Sequence, residues 1–189
     1  MARSAKMKVF GGMLVLALVC LQARQVRSIL AQSHPLQLIR GAAAPALEFA
    51  DADGTPIPPS EFRGHPLVVS FWAAWCAPCR KELPELGAMV DSWNAKAPAA
   101  DRVVFVAVNA GDDPRSVSMF VEDRRLRSAR FTFDPAGLAV DRWKIRAFPT
   151  TFFIDRSGGV QDIQEGYDAG FSIRLEALLR DESRTAARP

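Results

Sequence analysis

The apolar positions of this chain fall into a few distinct patterns. Pro66 to Ala74 (PLVVSFWAA) and Arg102 to Ala110 (RVVFVAVNA) are nearly continuous apolar, β-branched runs, the pattern of strands buried on both faces. Leu83, Leu86, Met89, Val90 and Trp93 recur at helical spacing and predict a helix with one apolar stripe. Pro84 falls inside that helix, where it costs about 3 kcal/mol and favours a kink. ALEFADADGTPI sets two short apolar runs around Asp53-Gly54, a hairpin signal. DDPRSVSMFVEDRRL begins with acidic residues and a proline, a helix opening. Further on, DPAGLAVDRWKI reads as a short helix, TTFFID as a strand, RSGG as a turn and VQDIQEG as the antiparallel partner. FSIRLEALLR closes the series as an amphipathic helix. Strands alternating with helices, then a hairpin and a helix, predict an α/β domain with a mixed central sheet flanked by helices.

Ahead of this domain the pattern changes. Arg3, Lys6 and Lys8 precede the uncharged run VFGGMLVLALVCL, Val9 to Leu21. A helix of that length covers roughly 20 Å, short of the roughly 30 Å hydrocarbon core, so residues 1–23 are expected to be a cleaved signal peptide or a short membrane anchor. Residues 24–44, rich in Gln, Arg and Ala, read as a linker, residues 45–180 as the folded domain and 181–189 as a polar tail. Six of the 24 basic residues precede Gly41 and none of the 21 acidic ones does, which leaves 18 against 21 and a net charge of −3 for the rest. The domain therefore offers no basic footprint for nucleic acid. Its length fits one core. If residues 1–23 are removed, Cys20 leaves with them and the mature chain holds only Cys76 and Cys79, in an oxidising compartment.

Three chemistries suit Cys76 and Cys79. Zinc needs at least three protein ligands, and the pair supplies two, with His34 in the linker and His65 alone ahead of a strand. A structural disulfide closes a ring too short to remove much entropy from the unfolded chain. Redox chemistry fits the surroundings: an apolar strand ending at Trp75 delivers Cys76 to the start of a helix, where unpaired N–H groups and the helix dipole favour a thiolate. A bias of roughly 1 to 2 kcal/mol brings a thiol pKa from about 8.5 toward 7. Cys76 is then the expected nucleophile and Cys79, one turn further in, the resolving thiol.

FWAAWCAPCRKELPEL, followed by FPTTFFID, resembles the thioredoxin superfamily, and in particular its exported TlpA/ResA-like branch. The Trp-Cys-x-Pro-Cys core, Pro84 and the late Phe-Pro-Thr arrive in the order of that family, and the match runs from about Pro45 to Arg180. The resemblance implies a thioredoxin-like fold with an extra N-terminal β-hairpin and a helical insertion. It implies that Pro149 is a cis-proline facing the cysteines, with neighbouring backbone that pairs with an extended substrate segment. Trp75, Phe148 and Thr150 are then expected to contact substrate. Ser70 stands where many members carry a buried Asp, and the resemblance passes proton transfer to Glu82; on residue type alone Glu82 reads equally as a solvated partner of Arg80 and Lys81. The implied activity is reduction of protein disulfides, as in cytochrome c or copper-centre maturation. A membrane electron donor, a monomeric chain with possible N-terminal membrane attachment, and no flavin, metal or nucleotide complete the expectation. The rival readings are a thiol peroxidase, against which Ala73 replaces the usual threonine three residues before the nucleophile, and a redox-silent binding module or copper metallochaperone, which lacks a His near FPTTFFID.

Overall fold

The computed structural model describes residues 41–124, 126 and 129–186; the expected signal or anchor, residues 1–23, lies outside them. Seven strands form one sheet: β1 (Phe49–Ala50), β2 (Pro56–Ile57), β3 (Leu67–Trp72), β4 (Val104–Asn109), β5 (Ala129–Phe133), β6 (Thr150–Ile154) and β7 (Val160–Glu165). Their spatial order is β2-β1-β5-β4-β3-β6-β7. β3, β4 and β5 run parallel, and the neighbours at both ends are antiparallel, so the sheet is mixed as the pattern predicts. Among the described residues four α-helices connect or follow the strands: α1 (Ala77–Asn94), α2 (Pro114–Arg124), α3 (Leu138–Arg142) and α4 (Phe171–Ala186). Among the described residues no helix is long and apolar enough to cross a membrane.

Both sheet faces are covered, which explains why β3 is apolar at nearly every position. Alternate β3 side chains point to opposite faces. Val68 and Trp72 join Cys79, Leu83, Leu86 and Val90 of α1 and Leu175 and Leu179 of α4 in one buried cluster, which α2 enters through Val117 and Phe120. Phe71 belongs to an aromatic cluster on the other face, with ring centroids 5.4 Å from Trp143 and 6.0 Å from Phe152. Phe49 of β1 reaches this second cluster, 5.8 Å from Phe62 and 6.3 Å from Trp143. The hairpin turn closes where Gly54 takes a φ of 83°, a conformation that side chains disfavour. Asp53 Oδ1 accepts the Thr55 N–H beside it.

Four features differ from the sequence reading. β3 ends at Trp72 rather than Trp75, because the chain turns away once its pairing with β4 stops at Asn109. β5 (ARFTF) was not predicted; Arg130 is exposed and three of the other positions are only partly buried, so its identity comes from parallel pairing with β4 and not from a local apolar run. Packing begins ahead of Pro45: Gly41 N–H donates to Val160 O and Ala44 N–H to Gly158 O, both at 2.8 Å. At the other end α4 continues past Arg180 to Ala186.

Candidate active site

Between β3 and α1 the chain makes one turn, closed by the Cys76 N–H donating to Ala73 O at 3.1 Å. Cys76 is the N-cap of α1, in extended backbone conformation, and its Sγ accepts the Cys79 N–H at 3.2 Å. Pro78 in the first turn has no N–H to satisfy and carries a backbone angle suited to a helix start. A free N–H aimed at sulfur stabilises a thiolate far more than a thiol, so this cap supplies the electrostatic bias expected at a helix start. Cys76 and Cys79 are joined by a disulfide, with S–S 2.02 Å. Cys76 is 4% exposed and Cys79 fully buried, so the first sulfur is the outer one.

The loop ahead of β6 lies against this turn. Trp75 is 72% exposed and meets Phe148 edge to face, with centroids 6.0 Å apart. The Phe148–Pro149 peptide bond is cis, in the form the resemblance implies. Thr150 is fully buried and donates its hydroxyl to Ala147 O at 2.8 Å, while the Gly166 N–H donates to Pro149 O at 2.7 Å. Thr150 therefore braces the turn with its side chain; the exposed apolar rim belongs to Trp75 and the half-buried Phe148.

Beneath α1 the structure brings together three polar side chains that are far apart in sequence. Ser70 of β3 is paired with Thr151 of β6, and their hydroxyl oxygens are 2.9 Å apart. Thr151 Oγ1 donates to Glu82 Oε1. A hydroxyl has one proton, so with Glu82 ionised Thr151 donates to the carboxylate and accepts from Ser70. Ser70 and Thr151 are fully buried and Glu82 is 3% exposed, so the solvated reading of Glu82 does not hold. Burial is the main cause that pushes its carboxyl up to about 7; the Thr151 bond opposes this and the nearby Glu85 charge adds to it. Glu82 Oε2 has no hydrogen-bond partner among the described residues. Thr151 was missed in the sequence, where Thr150 was named instead. The signal that separates them is register: period-2 alternation puts Thr151 and Phe153 on the α1 side and Thr150 and Phe152 on the other.

Such a site has one capped outer sulfur, one fully buried sulfur, and a buried acid three residues further along the same helix whose carboxyl is pushed up to about 7. Known proteins resemble this chain in sequence and fold. Residues 40–163 match the AhpC/TSA family. Thiol-disulfide oxidoreductase ResA of Bacillus thuringiensis subsp. konkukian is 30% identical over 140 residues, 74% of this chain and 76% of that protein. ResA of Geobacillus kaustophilus is 29% identical over 126 residues, 67% of this chain and 69% of that protein. The crystal structure of a Chlorobium tepidum protein assigned as the thiol:disulfide interchange protein DsbE is 26% identical, with a TM-score of 0.66 over 76% of this chain and 96% of that one. Fold, paired cysteines and relatives converge: the chain belongs to the AhpC/TSA family, as a thioredoxin-fold thiol-disulfide oxidoreductase of the ResA type.

Proposed function

We propose that this enzyme reduces protein disulfides outside the cytoplasm, with Cys76 as nucleophile, Cys79 as resolving thiol and Glu82 as the base that releases it. The Cys76 thiolate attacks a substrate disulfide, and one substrate sulfur leaves as a thiolate while a mixed disulfide forms at Cys76. Cys79 passes its proton to Glu82, directly or through a water, and attacks Cys76 Sγ. The second substrate thiolate leaves and the Cys76–Cys79 disulfide closes, so two electrons move from enzyme to substrate. The observation that carries this reading is the Cys76–Cys79 pair at the start of α1, with the carboxyl of Glu82 buried three residues beyond Cys79 on the same helix. A thiol of pKa near 9 is only about 1% ionised at pH 7, and a general base is worth at least about a hundredfold to such a step. Trp75, Phe148 and the backbone around Pro149 receive an extended substrate segment, with Thr150 bracing that loop. The charge and hydropathy of residues 1–23 support export and a place at the membrane, where a membrane donor returns the enzyme to the dithiol. Cytochrome c or copper-centre maturation is the process this proposal favours, with the chain acting as a monomer.

Trapping tests the assignment. Cys79→Ser is expected to accumulate mixed disulfides with protein substrates and Cys76→Ser to form none, while the unsubstituted enzyme reduces insulin disulfides and leaves hydrogen peroxide unconsumed. Equal trapping by the two variants, or peroxide turnover exceeding disulfide reduction, contradicts the reading.

A further inference from the structure

A carboxylate also reaches the redox turn from outside α1. Asp112, in the loop between β4 and α2, accepts the Ala74 N–H on Oδ2 at 2.5 Å, and the same oxygen accepts the Asn109 side-chain amide at 2.7 Å. Asn109, fully buried at the end of β4, accepts the Asp112 N–H on Oδ1 at 2.9 Å. The backbone continues the clamp, since the Ala110 N–H donates to Trp72 O at 2.9 Å and the Cys76 N–H to Ala73 O at 3.1 Å. The chain entering the turn is thus tied to the β4–α2 loop at Trp72 and at Ala74, and the turn itself is closed by the Cys76–Ala73 bond. The segments around Cys76 carry other charges. α1 bears Arg80, Lys81, Glu82 and Glu85, of which Lys81 lies over the Tyr167 ring and Glu85 accepts the Tyr167 hydroxyl. The loop before β6 bears Lys144 and Arg146, and Asp113 caps α2 through the Arg115 and Ser116 N–H groups. Among the described residues, Asp112 is the charged side chain bonded to the turn itself.

We propose that Asp112 is a positioning residue for the dithiol chemistry, resting on the reading of Cys76 as nucleophile: its carboxylate fixes the turn at Ala74 and, as an anion bonded to the backbone two residues before Cys76, restrains ionisation of that thiol. The helix start and the Cys79 N–H draw the thiolate out, and Asp112 opposes them. A dithiol whose thiolate is less stabilised is more readily oxidised, so the opposition makes the enzyme a stronger reductant. Asp112 meets the turn through a partly buried hydrogen bond, and a charge so placed is screened less than in bulk water.

Asp112→Asn separates the charge from the geometry, because the amide oxygen can accept both bonds that Oδ2 accepts. In the full-length reduced chain, the pH midpoint of iodoacetamide alkylation at Cys76, mapped by peptide mass spectrometry, is expected to fall by about half a unit in this variant. Alkylation at pH 7 should rise and the equilibrium with glutathione should shift toward the dithiol, the two factors multiplying to about threefold. A midpoint and a glutathione equilibrium equal to those of the unsubstituted chain overturn the proposal. Alkylation mapping to Cys79 first overturns it together with the nucleophile assignment, which distinguishes the two failures. A second measurement needs no variant at Asp112: the side-chain carboxyl 13C resonance of Asp112 should move through the Cys76 titration and lose that response in Cys76→Ser. A resonance indifferent to the Cys76 titration overturns the proposal even if Asp112→Asn does not fold.

Discussion

Glu82 buries a carboxyl group that keeps one oxygen without a partner among the described residues, and its linkage to stability has a definite sign. Its pKa is about 7 folded against 4.5 as the ordinary value, so between those pH values the folded chain holds a proton that the unfolded chain has released. Stability contributed by the neutral acid is complete below about pH 4.5, falls as pH rises and levels off above about pH 7. At about 1.4 kcal/mol per pKa unit the loss amounts to about 3 kcal/mol. Glu82→Gln removes the titration, so its stability relative to the unsubstituted chain should improve by about 3 kcal/mol between pH 4 and pH 8 in urea unfolding. A constant difference across that range would mean that Glu82 titrates as an exposed glutamate. The same substitution is expected to slow resolution of a Cys76-linked peptide at least about tenfold in stopped flow while leaving Cys76 alkylation at pH 7 nearly unchanged. Resolution at the unsubstituted rate would assign the proton to another acceptor. The family resemblance made Glu82 a candidate in the sequence, while its residue type alone left it equally a solvated glutamate. Its burial came only with Ser70 and Thr151, which β3–β6 pairing brings beneath α1 from 81 residues apart.

The N-terminal hairpin is too short to stand alone: β1 and β2 have two residues each. What holds it is Phe49, 4% exposed in the aromatic cluster with Phe62 and Trp143, together with the pairing of Ala50 and Phe133 that covers the edge of β5. Truncating a buried aromatic of this kind costs about 3 to 5 kcal/mol. Phe49→Ala should therefore lower the urea midpoint by the equivalent of about 3 kcal/mol at unchanged slope. In the sheet order β1 stands beyond β5 and β4 from β3, so alkylation of Cys76 in the folded variant should match that of the unsubstituted chain. Altered thiol reactivity would show that the hairpin reaches the site. The hairpin was readable because Asp53-Gly54 sits between two apolar runs, a local cue. β5 was not, because Ala129 to Phe133 becomes a strand through partners distant in the chain.

Across the whole molecule one sheet serves two cores, with Trp72 on the α1 side and Trp143 on the α3 side, both essentially buried. Every central strand contributes side chains to both faces, so neither core can open while the other keeps its sheet intact. Urea unfolding followed by far-UV circular dichroism and by tryptophan fluorescence should give coincident midpoints; a separation above about 0.3 M would show the faces unfolding independently. The sequence by itself determined the apolar strands, the striped helix with its proline, the hairpin and the order of Cys76, Cys79 and Pro149, because each is written in a local pattern or spacing. Tertiary structure decided where β3 stops, that Trp75 faces solvent while Thr150 turns inward, that Glu82 is buried, and that Thr151 and Asp112 reach the redox machinery. These depend on strand register and loop approach, which place residues from distant parts of the chain within hydrogen-bond distance and which no local pattern specifies.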